Sequence, residues 1–205
     1  MKNTVFFLSL VIILSLHTSC EGDSVSPSTP EGIFISAVID GNKVEYIEGD
    51  NGLLTWPGTG GSLGPDSCFS SHSNGVAKHD ISSGDIGEGL LIGLENEYKG
   101  ICGGERDVFE NLFALGRREM KDEGRKAGAS ALYIDPTGVS WYSPDEPSSD
   151  NVLEFTKRTY IEFDPGFLRQ RMDVEGNFSS WLYNQDGDSL RLEDGKFRLF
   201  FVANL

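Results

Sequence analysis

The chain is short of the residues that metal-binding, nucleic-acid-binding and membrane-spanning proteins depend on. Among its 205 residues there are three cysteines, three histidines and 17 basic side chains against 32 acidic ones. The formal charge of −15 at pH 7 repels phosphate backbones and anionic headgroups, which argues against nucleic acid as a partner. Cys68, His72 and His79 are the closest approach to a zinc set. They number three and lack a second nearby cysteine, so neither metal nor any other cofactor is expected. Phosphate-cradling glycine patterns are missing too, since Gly58-Thr-Gly-Gly-Ser-Leu-Gly64 fits neither the dinucleotide nor the P-loop spacing. The one long apolar run, Val5 to Leu16, has twelve residues, well below the ~20 that cross a hydrocarbon core. No repeat at solenoid or propeller period is visible.

What is present begins with that short run. It follows Lys2, leads to the small residues Thr18 and Ser19, and stops at Cys20 before polar sequence. Its length suits the apolar region of an export signal. Leu16-His-Thr-Ser-Cys20 resembles the bacterial lipobox, with His17 as the departure, and the resemblance implies cleavage before Cys20 and acylation of its thiol. A signal over residues 1–19 leaves 186 residues and takes the formal charge from −15 to −16. Attachment to a membrane then comes from lipid, because a surface this acidic has no basic patch to add, and more than one acyl chain suffices. Residues 20–32 hold the lipidated cysteine and a flexible tether rich in Ser and Pro, and residues 33–205 form a single domain. With Cys20 assigned to lipid, Cys68 and Cys102 remain as an even pair in an oxidising compartment and are expected to be bonded.

The domain reads as mainly β. Ile33 to Ile39 and Lys43 to Glu48 flank Asp40-Gly-Asn42, a hairpin signal. Residues 49–89 are rich in Gly, Ser, Asn and Asp and read as a pinned loop with short strands, followed by a buried strand at Leu90–Leu94. Asp107 to Leu115 sets Val108, Leu112 and Leu115 at helical spacing, with Phe109 and Phe113 beside them. From Val152 onward the period is two: Leu153, Phe155, Ile161 and Phe163, then Met172, Val174, Phe178 and Leu182, then Phe197, Leu199, Phe201 and Ala203. Turn residues at Asp164-Pro-Gly166, Asn184-Gln-Asp-Gly187 and Asp194-Gly195 separate these runs. Without strand and helix alternation a parallel sheet is disfavoured. An antiparallel β-sandwich or partly open barrel with one short α-helix follows.

Several patterns could carry chemistry. Gly60-Gly-Ser-Leu-Gly64 fits the nucleophile-elbow spacing, but Pro57 and Pro65 bracket it where a strand and a helix are required, so it reads as a glycine loop. Asn184, Asp186 and Asp188 alternate like calcium ligands, yet Ser189 and Gly195 occupy the positions that need Gly and Glu, which leaves a hairpin tip. The carboxylate pairs Glu154 with Glu162 and Asp173 with Glu175 sit at the spacing of wet strand faces, so no catalytic residue is assigned. The sharper signal is aromatic. Trp181 and Tyr183 lie in the polar phase of their strand, and Trp141 with Tyr142 forms a second such spot. Flat rings beside carboxylates and amides suit sugar stacking, the competing reading being a second small core.

The lipobox-like start, the Ser/Pro tether, the opening strand Phe34 to Tyr46 and the ending Val174 to Phe197 together resemble the small uncharacterised lipoproteins common in Bacteroidota. The resemblance implies an outer-membrane address, on the periplasmic side or the cell surface, and no reaction. Glu21 and Asp23 are similar to the acidic signal that sends such lipoproteins to the surface. The expected role is a lipid-anchored binding or surface-interaction module for a glycan or an envelope protein. A carboxylate-using carbohydrate hydrolase and a structural subunit of an envelope complex are the alternatives. Cells fed a clickable palmitate are expected to label the wild-type protein and leave Cys20→Ala unlabelled; label retained in the variant would place the lipid elsewhere.

Overall fold

The computed structural model describes residues 30–63, 67–79, 85–98, 106–119, 127–144, 150–165 and 169–203. They form one antiparallel, nearly closed barrel-like sheet with a single α-helix. The strands are β1 (Phe34–Ile39), β2 (Asn42–Ile47), β3 (Leu53–Thr55), β4 (Gly58–Leu63), β5 (Cys68–His79), β6 (Ile86–Tyr98), β7 (Gly116–Arg118), β8 (Gly128–Ile134), β9 (Ser140–Tyr142), β10 (Val152–Asp164), β11 (Arg169–Tyr183) and β12 (Ser189–Val202), with α1 (Arg106–Leu112) between β6 and β7. Around the barrel the order is β2-β1-β12-β11-β9-β8-β6-β5-β3, with β4 beside β5, β10 beside β11 and β7 beside β10.

The expected opening hairpin forms because Asp40 and Gly41 both adopt positive φ, 48° and 78°. A two-residue turn of this kind matches the twist of the flanking strands. The three C-terminal runs place Met172, Val174, Phe178, Leu182, Phe197, Leu199 and Phe201 inside, all buried. Two ring-on-glycine pairs let the sheet curl tightly there. Gly176 lies opposite Phe197 and Phe178 opposite Gly195, and a Cβ on either glycine would come within 2.5 Å of the facing ring, so the ring fills the space that a side chain would take.

The structure corrects three expectations. In β10 the pairing with β11 slips between Phe155 and Lys157, so the inward phase changes. Leu153 and Phe155 are buried as expected, but beyond the bulge Tyr160 packs on the core and Phe163 is exposed. In α1 and the residue after it Phe109 and Phe113 are buried and Leu112 packs partly on the core, while Leu115 is exposed. Residues 49–89, expected as a loop with short strands, supply β3, β4, the twelve-residue β5 and the start of β6, and Gly58–Leu63 pairs along its length with β5.

Closure depends on two polar side chains inside the barrel. The ladder between β12 and β1 runs only as far as Arg198 opposite Phe34. Beyond it side chains of β5 reach the β12 backbone. Asn74 Nδ2 donates to the Phe200 carbonyl, and His72 Nδ1 donates to the Val202 carbonyl at 2.9 Å. Asn74 Oδ1 accepts from the backbone N–H of Gly75 at 2.7 Å and of Trp56 at 3.1 Å. Elsewhere in the barrel Tyr46 of β2 is buried and hydrogen-bonded to Tyr133 of β8 and Glu88 of β6, with burial foremost and then these neighbours pushing its phenol far above the usual range. Helix α1 and the residue after it pack on the core. The Phe113 ring lies 4.9 Å from Phe201 and 5.7 Å from Phe155, and Phe109 lies 5.2 Å from His72.

Asn74→Ala is expected to lower the urea unfolding free energy by about 3 kcal/mol, because buried backbone groups lose their partner; a loss below ~0.5 kcal/mol would show that the closure does not rest on this residue. Burial holds the His72 imidazole below its usual range, opposed in part by its bond to Val202. The unfolded chain takes up a proton near pH 6.5 while the folded one resists it. Stability is therefore full above about pH 6.5 and falls as the pH drops from there toward the lowered folded value. Unfolding midpoints between pH 7.5 and 5.5 should decline more steeply for wild type than for His72→Gln, and equal slopes would contradict the assignment.

Candidate functional site

Residues directly opposite in neighbouring strands stand on one face of a sheet, so the register gives the outer surface row by row. Tyr183 of β11 lies opposite Tyr142 of β9, Tyr142 opposite Leu132 of β8, Leu132 opposite Leu91 of β6, and Leu91 opposite Gly75 of β5. Trp56 completes the row, its N–H reaching the Gly75 carbonyl at 3.3 Å. Tyr142 is 49% exposed, Trp56 42% and Tyr183 40%, so three large rings face solvent on one apolar band.

A second row runs beside it. Gly58 of β4, Ser73 of β5, Gly93 of β6 and Ser130 of β8 are successive cross-strand partners. The Ser73 and Ser130 hydroxyls lean over the glycines, 2.4 Å from where a Cβ on Gly58 or Gly93 would sit. This row is therefore a trough with a hydroxyl-bearing floor. Leu91 and Leu132 rise on one side of it, and Trp56, Glu95, Tyr142 and Ser143 also line it; the groove has a volume of about 550 Å³. Trp56 is held in place from two directions. Asn74 Oδ1 accepts its backbone N–H, and its indole stacks on the His79 ring at 4.2 Å between centroids.

The four aromatic residues singled out from sequence divide. Tyr142 and Tyr183 are brought together as cross-strand neighbours. Trp181 shares their face and is exposed, but the Arg191 guanidinium lies over its ring at 5.4 Å. Trp141 points the other way, packing against the core while its Nε1–H donates to Asp135 Oδ2 at 3.2 Å; adjacent strand residues face opposite sides, so Trp141 and Tyr142 do not form one spot. For Asp135 burial is outweighed by hydrogen bonds from Thr137, Trp141 and Val139, which leave its carboxyl below the usual range. Cys68 is buried and disulfide-bonded, and both Cys20 and Cys102 lie outside the described residues. Cys68 pairs across the ladder with Tyr98, four positions before Cys102 in sequence. Trp56 was not singled out from sequence. Its only signal was a tryptophan beside Pro57 at the entrance to a glycine-rich strand.

The carboxylate pairs do not converge. Glu154 and Glu162 stand eight positions apart on β10, roughly 26 Å at strand rise, far beyond the ~9.5 Å that glycoside hydrolysis permits. Asp173 binds Arg171 at 2.5 Å, and Glu175 binds Lys157 at 2.9 Å and Arg198 at 3.3 Å. The bond from Lys157, with help from Arg198 and against burial, holds the Glu175 carboxyl below the usual range, the wrong direction for a general acid. The Ser62 side chain lies outside the described residues, and His72 is buried and bonded to the Val202 carbonyl. Asn184 Oδ1 accepts from the N–H groups of Asp186 and Asp188, the arrangement of a hairpin tip. Among the described residues no cluster of three or more His, Cys, Asp or Glu could hold a metal ion.

The chain matches no protein-family model, no curated protein and no solved structure. The local geometry alone bears on function.

Proposed function

We propose that this protein is a binding module, held at the outer membrane by lipid on Cys20, that takes a carbohydrate on the outer face of its barrel. The observation that carries the reading is the exposed Tyr142–Tyr183 cross-strand pair, set in a row of apolar and small residues. A rigid strand pair presents both phenols with little rotamer freedom left to lose on binding, and the apolar face of a sugar ring can lie against them while the phenol oxygens and nearby serines hydrogen-bond its hydroxyls. The barrel interior supports this choice of face. It is filled by Phe113, Phe155, Phe197 and Phe201 among other fully buried side chains, so the described core is packing and the ligand surface is outside. The tether of residues 20–32 gives the barrel reach away from the lipid surface.

A glycan array probed with the purified chain is expected to give hits that Tyr142→Ala and Tyr183→Ala each weaken about tenfold, the equivalent of ~1.4 kcal/mol of lost ring contact. Hits unchanged in both variants would move the site elsewhere, and an empty array would sink the carbohydrate reading.

A further inference from the structure

Granted that carbohydrate is bound on this face, we infer that the ligand is a neutral oligosaccharide lying along the trough between Trp56 and Tyr142, across the strands. Three observations converge on it. The first is length. From Gly58 on β4 to Tyr142 on β9 the trough crosses β5, β6 and β8, four strand spacings or about 19 Å, which is too long for a single sugar ring. The second is the floor. Ser73, Gly93 and Ser130 follow one another across the sheet with no larger side chain between them, so a chain of rings can settle against the backbone while the hydroxyls at its edges meet the serine hydroxyls. The rising edge formed by Leu91 and Leu132 suits the C–H face of those rings.

The third observation is charge. Glu95 is the one ionisable carboxylate among the described residues lining the trough, and neither lysine nor arginine lines it. A uronate or sulfated chain would place its anions beside Glu95 on a protein of net charge −15, with no lysine or arginine among the described lining residues to receive them. Trp56 closes one end. Its indole is backed by His79 at 4.2 Å and its main chain is tied to Asn74, so its angle is fixed before the ligand arrives, which reduces the ordering cost of binding.

The test is calorimetric titration of the purified full chain with cellohexaose, maltohexaose and chitohexaose, with the corresponding disaccharides, and with a galacturonate hexamer. At least one neutral hexamer should bind ten times or more tighter than its disaccharide. Trp56→Ala and Ser130→Leu, the latter filling the floor, should each weaken that hexamer at least tenfold with thermal melting unchanged, and the galacturonate hexamer should not bind. Length-independent binding, tighter binding of the anionic hexamer, or a hexamer affinity indifferent to Trp56→Ala and Ser130→Leu would overturn the inference. Should Tyr183→Ala still weaken binding in that last case, the aromatic face stands and only the trough falls. Absence of binding to every neutral hexamer overturns the trough assignment, and the array result decides the broader reading separately.

Discussion

The two hydrogen bonds from β5 side chains to the Phe200 and Val202 carbonyls of β12 are the constraint on which the rest of the barrel depends. Six-residue β1 is too short to cover the whole edge of fourteen-residue β12, and carbonyls left bare inside a protein are costly. Asn74 and His72 take the place of the missing strand. The same Asn74 holds the main chain of Trp56 through its other amide atom, so one buried residue joins the closure of the barrel to the position of a ring on its surface. Core and site are consequently coupled through a single amide group.

Charge is distributed with similar economy. On the outer face of β10, β11 and β12 the cations Lys157, Arg171 and Arg198 are matched by Asp164, Asp173 and Glu175, and Arg171 and Arg198 also lie over the rings of Phe200 and Phe34 at 4.3 and 5.9 Å. These pairs are partly exposed and add little to stability singly. Their effect is local neutrality: a sixth or so of the chain's basic residues is spent on one side of the barrel. On the side carrying Tyr142 and Trp56 the described residues lining the groove include the hydroxyls of Ser73, Ser130 and Ser143 and the carboxylate of Glu95.

How much of this was legible in the sequence follows from how each stretch is held. Met172 to Leu182 and Phe197 to Ala203 keep one phase over many residues, and a long unbroken alternation has only one way to sit on a core. Their inward faces are therefore plain from sequence, as is the Asp40-Gly41 turn. A bulge is invisible to such a count, and the slip after Phe155 is why Phe163 ends outside. Strand β4 and the first half of β5, Gly58–Leu63 against Cys68–Ser73, carry almost no apolar alternation. They are strands because neighbours on either side of β5 supply the ladder, a cause that resides in the partner and not in the segment. The aromatic candidates show the same limit at finer scale. Period two says that Trp141 and Tyr142 must part and that Trp181 and Tyr183 must agree, but the strand boundary that decides which of the first pair turns outward depends on pairing with β8 and β11.

The place of β1 bears on how the molecule would respond to being pulled. Its residues are bonded on one side to β2 and on the other to β12. Tension applied at its N-terminal end along the strand would load both ladders in shear, with many hydrogen bonds strained together. Peeling them one at a time would need a force directed across the sheet. A strand paired on both sides at the start of the described fold thus resists a lengthwise pull better than a sideways one.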